Sequence, residues 1–69
     1  MSIIKTVYRA AHLTDDGKYV TAMSPDVPKS EYAEQEAVLW KKSNPRFRYA
    51  VFSVTTPGGE LTFIKEITL

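Results

Sequence analysis

Four prolines, Pro25, Pro28, Pro45 and Pro57, limit what this 69-residue chain can fold into. Proline fixes φ and lacks a backbone N–H, so none of them can stand inside a helix or a central strand. The regular structure must fit between them.

The stretch from Ser30 to Ser43 has the helical period. At about 100° per residue, Tyr32, Ala33, Ala37, Leu39 and Trp40 fall on one broad arc, the pattern of an amphipathic helix lying on a sheet. Ser30 is a candidate N-cap, with Asp26 competing if Val27 and Pro28 form the first turn. Glu31, Glu34 and Glu36 come early and Lys41 and Lys42 late, which suits the helix dipole. Asn44 precedes Pro45 and so is disfavoured from helical φ/ψ, which ends the helix. Glu36 lies inside the apolar arc. It is expected at the edge, reaching water or the Tyr32 hydroxyl; the alternative is a buried partner for a Lys or Arg of a strand or a second subunit. Val38 falls opposite, among charged residues.

Ile3 to Leu13 is rich in β-branched and aromatic residues and reads as a strand. Thr14-Asp15-Asp16-Gly17 is a turn signal, and Lys18 to Ser24 returns as a second strand that Pro25 ends. After the helix, Phe47 to Thr55 reads as a third strand. Thr56-Pro57-Gly58-Gly59 places Pro and Gly where a type II turn wants them. Leu61 to Leu69 is the last strand, with Leu61, Phe63, Ile67 and Leu69 on one parity and Thr62, Ile64, Glu66 and Thr68 on the other. The expected fold is a single small α+β domain spanning 1–69, ββαββ, an antiparallel four-stranded sheet with one helix packed on one face. The strand order stays open.

Strands one and three carry apolar or aromatic residues on both parities, and one helix covers one face of a sheet. A second molecule is therefore expected on the other face, and a homodimer is the simplest source. Size points the same way. About 60 residues bury only about 60% of their unfolded surface, and the chain has no cysteine to add a disulfide or thiolate metal site.

Few function classes survive. A net charge of +1 gives no global attraction to nucleic acid or acidic membrane. The start, Met-Ser-Ile-Ile-Lys, has no signal-peptide apolar region, and no stretch approaches the roughly 20 apolar residues of a membrane span, so a cytoplasmic protein without a membrane role is expected. His12 is the sole histidine, and the nearby Asp15 and Asp16 are accounted for by the turn. No catalytic residue, metal site or cofactor is expected from that set, and no glycine-rich loop opens a helix to hold phosphate.

The expected function is therefore non-enzymatic: a protein-interaction module, self-associating, that docks a partner protein through an apolar, arginine-bearing sheet surface. Tyr8, Arg9, Arg48 and Phe52 are the candidate contacts, being residue types enriched at interface centres. The alternative is nucleic-acid binding by Lys41, Lys42, Arg46 and Arg48, which interleave with Trp40, Phe47 and Tyr49 and with no acid.

Overall fold

The computed structural model describes residues 5–17, 20–56 and 58–68, with Thr21 described in its backbone alone. In chain order come β1 (Lys5–Leu13), β2 (Val20–Met23), the helix α1 (Ser30–Ser43), β3 (Arg48–Thr56) and β4 (Glu60–Glu66). The protein is α+β: an antiparallel four-stranded sheet with one helix. The expected strand residues Ile3, Ile4, Lys18, Tyr19 and Leu69 lie outside the described residues, as does Pro57 of the expected type II turn.

The strands are ordered β2-β1-β3-β4. The two central strands, β1 and β3, pair along their whole length, from Lys5↔Thr56 to Leu13↔Arg48. Hairpin chemistry brings β2 back beside β1. The Gly17 N–H donates to the Thr14 carbonyl at 2.8 Å, and Gly17 has φ 73°, a left-handed conformation that glycine adopts without steric cost. The β3–β4 connection closes with the Gly59 N–H on the Thr55 carbonyl at 2.9 Å, one residue wider than the bond of a type II turn.

Helix α1 packs on β1 and β3. Ala33 and Ala37 of the helix and Ala10 of β1, all three fully buried, share one core cluster with Tyr49, Val51 and Ile67. These alanines let the helix backbone come close to the sheet and set the helix's rotation. Two expectations change as a result. Leu39, placed in the apolar arc by periodicity, is 60% exposed, whereas Val38, placed outside it, packs against the core. Tyr32 is also exposed and Trp40 is half-buried.

Neither expected cap is used. Ser30 is already helical, and the N-cap position belongs to Lys29, whose carbonyl accepts from the Tyr32 N–H at 3.2 Å and whose side chain caps nothing. Asp26 lies too far upstream and pairs instead with Arg9. At the other end, the Asn44 N–H returns to the Trp40 carbonyl at 2.9 Å, and the Lys41 ammonium donates to the carbonyls of Pro45 and Phe47 at 3.0 and 2.8 Å. Glu36 takes the exposed role, but its carboxylate accepts from the Trp40 indole Nε1–H at 3.1 Å rather than from Tyr32.

Two local irregularities decide which side chains are inside. The β3–β4 register shifts between Val51↔Lys65 and Phe52↔Phe63, so Ile64 is an extra residue. Beyond this bulge the parity inverts. Leu61 and Phe63 therefore face away from the helix, while Ile67, expected on their face, enters the helix-side core at 4% exposure. At the end of β2, Pro25 interrupts the ladder. Ser24 bridges the gap, donating its N–H to the Ala10 carbonyl at 2.8 Å and accepting the Ala10 N–H on its buried hydroxyl at 2.9 Å. Tyr8 and Val27 then resume the pairing. Replacing Ser24 by Ala would strand a buried N–H, so Ser24→Ala is expected to lower the unfolding free energy by about 1–3 kcal/mol, read from urea denaturation.

Among the described residues, no helix is long and apolar enough to cross a membrane.

Candidate functional site

The sheet has a helix face and an open face, and cross-strand partners project to the same side. Rows on the open face run Val7–Val54–Leu61, Arg9–Phe52–Phe63 and Ala11–Ala50–Glu66, with Met23 beside Ala11 and both Val20 and Arg48 beside Leu13. Ala11, Leu13, Ala50 and Phe52 form a second apolar cluster, with Val20 packed against it. No helix lies over it among the described residues. Phe63 is 55% exposed, and Met23 and Leu61 are also exposed at the margins.

Three of the four expected contact residues come together here. Arg9 and Phe52 are direct cross-strand partners, and Arg48 lies further along the same face of β3. Tyr8 does not join them: it pairs with Ser53 on the helix face and packs against the core there. Phe52 is 8% exposed and serves as the base on which Phe63 rests, their rings edge-to-face with centroids 5.7 Å apart. The ring offered to solvent is Phe63, which the sequence reading did not select. The alternation of Leu61 and Phe63 on the last strand was the available signal.

Both arginines are engaged. Arg9 donates to the Asp26 carboxylate and lies against the Met23 sulfur at 3.8 Å. Arg48 makes a two-pronged pair with Glu66, Nε at 2.9 Å and Nη2 at 2.7 Å, and its Nη1 reaches the Asp15 carbonyl at 3.0 Å. Arg48 thus ties the β1–β2 turn to the end of β4. The guanidiniums hold both carboxyls below their ordinary range, chiefly by direct hydrogen bonds. Lys41 adds a smaller pull on Glu66.

A carboxyl with a depressed folded-state pKa contributes stability that is complete above its unfolded-state value. That contribution is lost as the pH falls through the lower folded-state value. Thermal melts between pH 7 and about pH 3 are therefore expected to show a shallower acid loss in Glu66→Gln than in the parent; equal slopes would deny the pair any stabilising role.

Of the four basic residues expected to meet nucleic acid, Lys41 is used by the helix-end turn and Arg48 by Glu66. Arg46 and Lys42 remain exposed. Arg46 lies in the turn next to Phe47, and Lys42 near the helix end. His12 lies on the helix face with its ring against Phe47 and Tyr49. Asp16 accepts from the Thr14 hydroxyl at 2.6 Å within its own turn. Among the described residues, no group of three or more His, Cys, Asp or Glu is placed to hold a metal ion.

Comparison with protein-family models, with curated proteins and with solved structures gives no match for this chain.

Proposed function

We propose that this protein is a non-enzymatic interaction module that self-associates through the open face of its sheet. The observation that carries this reading is the pairing of exposed apolar side chains with internally neutralised charge. Phe63, Leu61 and Met23 stand in water on a face that already holds a buried apolar cluster. The arginines Arg9 and Arg48 are matched one for one by Asp26 and Glu66. These arginine and carboxylate charges cancel, and only Lys5 at the far end of β1 adds a positive charge to the described part of this face, so little like-charge repulsion opposes two copies meeting there. An open sheet face is matched by another, as in sheet-on-sheet packing. The mate supplies the apolar burial that a chain of this length lacks alone.

Sedimentation equilibrium and light scattering over a wide concentration range test the reading. A concentration-dependent dimer is expected, and a monomer at every concentration would defeat it.

A further inference from the structure

The far end of the helix face carries a feature that self-association leaves unused. His12, Ala22, Trp40, Asn44, Phe47 and Tyr49 line a hollow of about 350 Å³, near the small end of the roughly 300–1,000 Å³ usual for ligand sites. Its walls are rings. His12 meets Phe47 edge-on with centroids 5.0 Å apart, and buried Tyr49 lies 5.8 Å from Trp40. A second hollow of about 240 Å³, lined by Ser43, Asn44, Pro45, Arg46 and Phe47, adjoins the first and shares Asn44 and Phe47 with it. Phe47 is therefore a 46% exposed ring standing between two depressions. The turn that presents it is preorganised: the Phe47 N–H donates to the Asn44 carbonyl at 3.1 Å, and Lys41 holds the Phe47 carbonyl.

Charge selects the ligand. Among the described residues neither hollow has a carboxylate in its lining, and the nearby Glu36 carboxylate is occupied by the Trp40 indole. The side chains of Arg46 and Lys42 make no ion pair or hydrogen bond among the described residues. A ring-lined site of this kind suits a cation when acids surround it; with Arg46 in the adjoining hollow it suits a planar group carrying negative charge. We infer that the paired hollows hold one nucleotide step of a single-stranded nucleic acid. The base enters among Trp40, His12 and Phe47 with its edge at the Asn44 side-chain amide, and the adjoining phosphate meets Arg46 in the second hollow. A duplex keeps its bases stacked and cannot offer one to the hollow, whereas an unpaired strand can. The single charge of a phosphodiester is what one arginine matches, and the chain has no glycine-rich cradle for a more highly charged phosphate terminus.

The test uses the one tryptophan of the chain, whose indole N–H gives a single amide-type cross-peak in ¹H–¹⁵N spectra. Titration with a short oligouridylate at low salt is expected to shift that peak and the Asn44 side-chain amide saturably. Phe47→Ala, a change at an exposed turn position, is expected to weaken binding about fivefold or more. Arg46→Gln is expected to reduce the slope of log affinity against log salt by about 0.7. Circular dichroism verifies that both variants are folded. Phe63→Asp is expected to leave the titration unchanged, so this site and the association face stand or fall separately. No shift at low salt overturns the inference, as does binding unaffected by Phe47→Ala. Uridine monophosphate binding as tightly as the strand would overturn the strand assignment, and tetramethylammonium producing the shift in its place would overturn the charge argument.

Discussion

Phe63→Asp is expected to leave the protein folded and monomeric. The ring is 55% exposed in the single chain, so its removal opens no cavity in the core; its main intramolecular contact is the edge of Phe52. In the proposed dimer the same ring would be covered by the partner copy. A carboxylate there would be desolvated without a partner, because Arg9 and Arg48 already carry Asp26 and Glu66. An unsatisfied buried charge costs more than the about 1–3 kcal/mol of an unsatisfied neutral group, so dissociation should be favoured by at least about tenfold. The matched control is Leu39→Asp, which alters an equally exposed large apolar residue on the outer side of α1. It is expected to leave association unchanged. Sedimentation of the two variants beside the parent decides the matter: a Phe63→Asp protein that still dimerises with parental affinity places the interface elsewhere.

The two faces of the sheet differ in how they are packed. On the helix face, packing is tight and dominated by alanine, and its far end presents rings at the helix-terminal turn. On the open face, the sheet buries a small apolar cluster by itself and leaves larger side chains at the margin. Arg48 links the hairpins across the open face through Glu66 and the Asp15 carbonyl, so its guanidinium is held in place before any partner arrives. A preorganised side chain loses less entropy on docking. In the proposed dimer Arg48 would act mainly as a fixed, neutralised wall, with the apolar residues beside it supplying the contact.

Element positions were legible because their signals are local. Prolines, the Asp-Gly turn and the apolar alternation place the four strands within a few residues of where they lie, and the helix runs over Ser30–Ser43 as expected. What could not be read were the features set by a neighbour in space. Leu39 and Val38 exchange roles because Ala33 and Ala37 seat the helix on Ala10, a preference no helical wheel contains. Ile67 crosses to the other face because of the extra residue Ile64, and a bulge leaves no mark on a period of two. The open face was legible as a surplus of apolar residues on both parities, yet its exposed ring was not. Phe52 and Phe63 look alike in sequence, and only the strand order makes one central and the other an edge residue.

The seating of the helix on three alanines also predicts the largest loss of stability. Ala37→Leu is expected to destabilise the fold by about 1–3 kcal/mol or more, the cost of forcing extra carbons into a filled core. Leucine is nearly as good a helix former as alanine, so intrinsic propensity does not account for such a loss. Ala37, Ala33 and Ala10 are fully buried, and a larger side chain can enter only by lifting α1 off β1 and β3. For a domain below about 70–80 residues, whose core rarely supplies more than about 3–5 kcal/mol, a change of this size is a large share of the total. It corresponds to about 4–8 °C in Tm for each kcal/mol. Gln35→Leu adds an apolar side chain to the exposed side of the same helix and is expected to stay within about 0.5 kcal/mol of the parent. Both should be measured by urea unfolding in the Phe63→Asp background, because the proposed association would add a concentration-dependent term to apparent stability. Parental stability in Ala37→Leu would mean that the helix does not rest on the alanine seam, and the rotation that exposes Leu39 would then need another cause.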